Sequence, residues 1–126
     1  MKLHWLAAAL FSMSVLAQAQ TQKETADPPA TASYSQKVLL KNWAFSVCLA
    51  KVAKTQDAKD AANAAASAYL EFGKLPIASY EPLRALADRY AKRVYGGATP
   101  GEFNTMKCID LMHSEELEAL ASKLAR

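Results

Sequence analysis

Cys48, Cys108 and His113 are the residues of this chain best equipped for chemistry. A thiolate beside an imidazole base is a nucleophile, and a histidine with two thiolates is the beginning of a zinc site. The spacing favours neither. Cys108 and His113 stand five apart on a helical stretch and so face different sides of it. One histidine and two widely separated cysteines also leave a zinc site short of ligands. Glu81, Asp88, Glu102 and Asp110 could serve as acid and base, but nothing in their spacing pairs them. The patterns G-x-x-x-x-G-K-[ST], G-x-G-x-x-G, H-E-x-x-H and C-x-x-C-H are all missing. The chain reads as a protein that binds rather than as an enzyme, with no metal and no cofactor.

Residues 1–19 carry an address. Lys2 supplies a positive start, Trp5 to Ala17 is an apolar run broken only by Ser12 and Ser14, and Ala17-Gln18-Ala19 has the small-x-small form of a cleavage site. This is the pattern of a secretory signal peptide cleaved after Ala19, and the run is too short to span a membrane. Residues 20–33, rich in Gln, Thr, Ala and Pro, lack an apolar period and read as a flexible tether. The folded unit is expected at 34–126. Export places Cys48 and Cys108 where disulfides persist, so the two are expected to pair. Such a bridge stabilises a small core by roughly 4 kcal/mol in the chain-entropy model. The formal charge of +3 is too small to imply nucleic acid, and no later stretch is apolar enough for a membrane span.

The elements that position these residues are helical. From Tyr34 to Lys54 apolar residues cover more than one stripe, which predicts a central helix touching several neighbours. Asp57 is placed to cap a second helix running to Phe72, with Gly73 as its left-handed stop; its face Ala58, Ala61, Ala62, Ala65, Tyr69 and Phe72 either lets a partner backbone approach closely or only reflects the helix propensity of alanine. Ser79 is placed to cap a third, in which Leu83, Leu86, Ala87, Tyr90 and Val94 recur at the helical period. Arg89, Lys92 and Arg93 crowd its last turns; they compensate the helix terminus or, alternatively, bind phosphate. After a loop from Gly96 to Phe103, a fourth helix begins at Asn104 or Thr105, and Ser114 caps a fifth with Leu117, Leu120 and Leu124 inward. The expected fold is all-α: a small bundle of about five helices clasped by one disulfide.

Three blocks of sequence resemble a known family. They are Leu40-Lys41-Asn42-Trp43-Ala44 with Cys48-Leu49, Ala66 to Gly73, and the eleven residues Gly101 to Leu111 followed by His113-Ser114. Together they resemble the type VI secretion amidase immunity proteins, more narrowly the cognates of the fourth amidase effector family, over about residues 34–121. The resemblance implies a periplasmic, all-helical, disulfide-bearing protein that protects its own cell from a peptidoglycan amidase. That effector is a papain-like cysteine hydrolase of the D-glutamate to diaminopimelate bond. The resemblance further implies a homodimer, forming a heterotetramer with the effector, in which a loop of one subunit enters the active-site cleft and a helix of the other adds contacts.

Within that frame, the loop holding Gly97, Gly101, Glu102, Phe103 and Asn104 is the first candidate for the effector-binding surface. Glycines permit tight turns, Pro100 limits freedom, and Cys108 anchors the downstream end, so ordering costs on binding are small. Glu102 and Phe103 are expected to lead, the carboxylate imitating an acidic group of the peptide stem. The competing expectation is that the loop only links two helices and Phe103 is core. The start of the third helix, with Tyr80 and Arg84 taken as exposed, is the second candidate. Two rival functions remain at this level: a periplasmic acid-stress chaperone, and an inhibitor of an invading lysozyme.

Overall fold

A computed structural model describes Asp27 and residues 29–126; the signal-peptide expectation at 1–19 lies outside the described residues. Five helices follow in order: α1 (Gln36–Val52), α2 (Gln56–Glu71), α3 (Glu81–Ala91), α4 (Asn104–Met112) and α5 (Glu115–Leu124). Among the described residues there is no strand. Helix α1 packs against each of the other four, the central position its multiple apolar stripes predict. Leu39, Leu40, Trp43, Ala44 and Cys48 all lie buried on it. Leu83 and Leu86 of α3, Leu111 of α4 and Leu117 of α5 meet it in one core. Each such leucine removed from water contributes about 1.5–3 kcal/mol.

Helix starts obey local chemistry. Ser35, Thr55 and Ser114 each sit in extended backbone and accept from the amide three residues on, those of Val38, Ala58 and Leu117. The Ser114 cap is as the sequence predicts. The cap of α2 is Thr55, however, and Asp57 lies in the first turn, where its charge complements the helix dipole. Ser79 is no cap either: its amide donates to the Pro76 carbonyl at 2.9 Å within a 3-10 turn, Ile77–Tyr80, that runs directly into α3. Ordered structure also begins upstream of Tyr34, because Ala30–Ser33 form a 3-10 turn that buries Thr31.

Two inward faces differ from expectation. On α2 Ala62 and Ala66 are buried and Tyr69 packs against the core with Leu70, whereas Ala58, Ala61 and Phe72 are exposed. A run of alanines gives no amphipathic contrast, so its sequence does not mark the buried side. Helix α3 ends at Ala91, and Val94 lies beyond it, 95% exposed. Gly73 has no positive φ and so is not a left-handed stop. It is required for space, since a Cβ there would overlap the Tyr80 hydroxyl.

Cys48 of α1 and Cys108 of α4 form the expected disulfide, across 60 residues of sequence. Ion pairs add links between helices: Lys51 to Asp88 at 3.1 Å joins α1 to α3, and Lys37 and Lys41 both reach Glu118 on α5. The cations of the α3 terminus are engaged individually, Arg89 with Glu116, Lys92 with Asp88, and Arg93 stacked 3.5 Å over the Tyr90 ring. This is the charge-compensating arrangement, not a cluster aimed at a phosphate.

Candidate functional site

Between α3 and α4 the backbone leaves the bundle as a loop, and the two ends of that loop are held. At its start the Tyr95 hydroxyl donates to Asp110 Oδ2 at 2.6 Å, tying the chain to α4. That bond raises the Tyr95 pKa, since ionising the phenol would set it against a carboxylate. A hydrogen bond to Tyr95 likewise holds the Arg93 guanidinium charged, its pKa pushed up. At its far end Asn104 Nδ2 donates to the Val52 carbonyl at 3.4 Å and to Glu102 Oε2 at 3.0 Å, fastening the loop to the last turn of α1. Lys107 Nζ donates to Asn104 Oδ1 at 3.0 Å. One turn further on, the buried disulfide fixes α4 itself.

Glu102 and Phe103, expected to lead the loop, sit in this frame. Lys54 Nζ pairs with Glu102 Oε2 at 2.6 Å, and the lysine together with Asn104 holds the carboxyl below its ordinary pKa. Phe103 is half-buried and adopts a left-handed backbone, φ 51°, alone in that region among the described non-glycine residues. None of the described glycines has positive φ, so the turn is made by an aromatic residue rather than by Gly97 or Gly101. The Phe103 ring rests where a Gly97 side chain would be: an added Cβ would stand 3.2 Å from Cζ. Gly96 and Gly101 face open space, and residues 98–101 are exposed.

A hollow lies on each flank of the loop. One, of about 380 Å³, is lined by Val94, Tyr95, Gly96, Gly97, Phe103 and Met106 and is mainly apolar. The other, of about 390 Å³, is lined by Lys54, Arg93, Lys107 and Glu102 among others and carries mostly positive charge. Sequence reasoning missed Val94, Lys54 and Met106 as neighbours of this loop. The signal available for Val94 was its place two residues before Gly96-Gly97, past the point where a helix continues.

The second candidate surface divides. Tyr80 is 2% exposed, packed edge-on against Trp43 at 4.9 Å, and therefore cannot form a contact surface. Its side chain belongs to the core because the 3-10 turn aims it inward. Arg84 is exposed, 5.1 Å over the Trp43 ring, and borders a separate hollow with Val47, Lys51 and Asn63 that does not reach the loop.

Chemically this surface can bind but has little with which to react. Both thiols are consumed in the disulfide, and among the described residues no three of His, Cys, Asp and Glu stand close enough to hold a metal ion. Fold and site define a small helical, disulfide-clasped binding protein with one braced projecting loop. The chain belongs to the Tai4 family, the type VI secretion system amidase immunity proteins, whose model matches residues 38–121. It is an immunity protein, not an enzyme.

Solved structures agree. A chain of the Tae4/Tai4 effector–immunity system from Salmonella typhimurium is 45% identical, with a TM-score of 0.73 over 77% of this chain and 96% of that one. A chain of the Tae4–Tai4 complex from Enterobacter cloacae is 29% identical, with a TM-score of 0.66 over 77% and 99%. A third match, 28% identical with a TM-score of 0.66 over 76% and 99%, comes from Tae4 of S. typhimurium in complex with Tai4 of E. cloacae. No curated protein sequence matches. Family membership displaces the chaperone and lysozyme-inhibitor alternatives.

Proposed function

We propose that this chain binds a peptidoglycan amidase of the Tae4 type in the periplasm and silences it by filling its active-site cleft with the loop between α3 and α4. The observation that carries this reading is the bracing of that loop: both ends are hydrogen-bonded to neighbouring helices while residues 98–101 stay exposed. Inhibition of this kind requires only shape. A projection that is already ordered loses little entropy on binding, so its contact energy goes into affinity. The amino-terminal leader pattern supports the compartment, since the wall that such an amidase attacks lies outside the cytoplasm. The working unit is a homodimer that engages two effector molecules.

The Tae4 of S. typhimurium is a suitable probe, because it forms a complex with a Tai4 from another genus. Added to that amidase digesting purified cell wall, the mature protein should stop digestion stoichiometrically. A Gly101/Glu102/Phe103 triple alanine variant that keeps its helical spectrum should bind at least ~100-fold more weakly. Unchanged affinity would rule the loop out. Light scattering of the free protein checks the dimer, and deleting residues 1–19 should abolish protection of cells exporting the amidase.

A further inference from the structure

The loop divides into a frame and a tip, and the division decides which side chains meet the partner. Resting on the cleft-blocking reading, we infer that Ala98–Gly101 is the segment that enters the amidase cleft, with Val94 as the apolar anchor beside it. Glu102 and Phe103 hold that segment in place and do not lead it.

The bonds already made by Glu102 are the first reason. Its carboxylate is paired with Lys54 at 2.6 Å and accepts from Asn104 at 3.0 Å, so presenting it to a partner would break both interactions. Phe103 is committed in a different way. Its left-handed backbone is costly for a residue with a side chain, and such strain persists only where surrounding structure over-determines it. The ring lying on Gly97 supplies that constraint, closing the base of the loop between its two limbs. Swinging the ring outward would release the turn.

What remains unengaged lies between these points. Ala98, Thr99, Pro100 and Gly101 are exposed, and their side chains are a methyl, a small hydroxyl, a ring fixed to the backbone and a hydrogen. A ribbon of that width fits a cleft shaped for a peptide stem, and Pro100 has little freedom to lose. Val94 stands on the flank, 95% exposed, facing the same hollow as Met106, which is 49% exposed. A valine so open contributes almost nothing to the fold of the free chain. Scattered exposed apolar residues are ordinary, but Val94 also lines the second hollow together with Gly101 of the tip, so the surface that receives the tip also covers Val94. The surface that receives the tip is accordingly expected to offer an apolar patch to Val94.

Four variants separate tip from frame, each titrated against the S. typhimurium Tae4 by calorimetry, with wall digestion as a second readout. Thr99→Trp, too wide for the cleft, should weaken binding ~100-fold. Val94→Asp should weaken it about tenfold. Glu102→Gln keeps the Asn104 bond and should lose no more than about threefold. Phe103→Asn, which tolerates the left-handed turn but lacks the ring, should weaken binding about tenfold while amide exchange at residues 98–101 of the free protein accelerates. Phe103→Tyr should restore both. Thermal midpoints establish that Thr99→Trp and Val94→Asp remain folded. If Glu102→Gln lost ~100-fold while Thr99→Trp bound like wild type, the inference would be overturned with the cleft-blocking reading intact. A wild-type protein that leaves the amidase active would instead overturn that underlying reading.

Discussion

Tyr80 carries a hydroxyl that is buried without a hydrogen-bond partner among the described residues. A lone buried hydroxyl pays a desolvation penalty that its ring must offset, here through edge-on contact with Trp43. Tyr80→Phe should therefore leave stability unchanged or raise it by about 1 kcal/mol in urea unfolding. Gly73→Ala should do the reverse, costing about 1–3 kcal/mol, because the new methyl group would force the Tyr80 hydroxyl aside. Burial also raises the Tyr80 pKa above its ordinary 10.0, which fixes a sign. The folded state favours the neutral phenol, so its contribution is intact below pH 10 and declines as pH rises through the shifted value. Tyr80→Phe should flatten that part of the alkaline unfolding profile. None of this was legible in the sequence, where Tyr80 is flanked by Ser79, Glu81 and Pro82 and looks like surface. Only the 3-10 turn before α3 reverses its direction.

Helices were far more legible than their faces. Ser114 followed by Glu115-Glu116 and leucines at helical spacing locates α5 without ambiguity, and its cap is the one predicted. Removing that cap in Ser114→Ala should cost about 1 kcal/mol, measured by thermal unfolding. Where contrast fails, so does the reading. The alanines of α2 are good helix formers on every side, and the buried pair, Ala62 and Ala66, is chosen by what α1 presents to it. The loop was located correctly between α3 and α4, but the partners that brace it were not legible, because Lys54 and Val52 lie some fifty residues upstream of Glu102 and Asn104. Ion pairs between helices have the same long-range origin, and they set an acid limit. Lys37 and Lys41 hold Glu118 below its ordinary pKa, and Lys92 with Lys51 does the same for Asp88. A depressed carboxylate stabilises the fold above its unfolded pKa and loses that effect as pH falls through the folded value. Stability should thus decline below the usual carboxylate range, more gently in high salt because these half-buried groups are still reached by solvent. Glu118→Gln should reduce the slope of that decline, as read from unfolding midpoints between pH 5 and pH 2.

At the scale of the whole molecule, the disulfide couples stability to the geometry of the loop. It joins the C-terminal part of α1 to the middle of α4, and the frame of the loop is attached at the ends of those same helices through Asn104 and Val52. Both sulfurs are fully buried, so reductant reaches them only when α1 and α4 part. Under native conditions dithiothreitol should leave the mass unchanged, and in denaturant it should add two hydrogens. Rapid reduction without denaturant would mean that the α1–α4 contact opens on its own. The Cys48→Ala/Cys108→Ala variant loses the constraint on 60 residues of unfolded chain, roughly 4 kcal/mol, a large fraction of what so small a core has. Inhibition should fall along with it, because α4 carries Asn104, Lys107 and Asp110, the residues that brace the loop. Measuring amidase inhibition well below the melting point of that variant distinguishes the two losses. Weaker inhibition by a fully folded variant locates the effect in the loop, whereas wild-type inhibition at that temperature confines the disulfide to global stability.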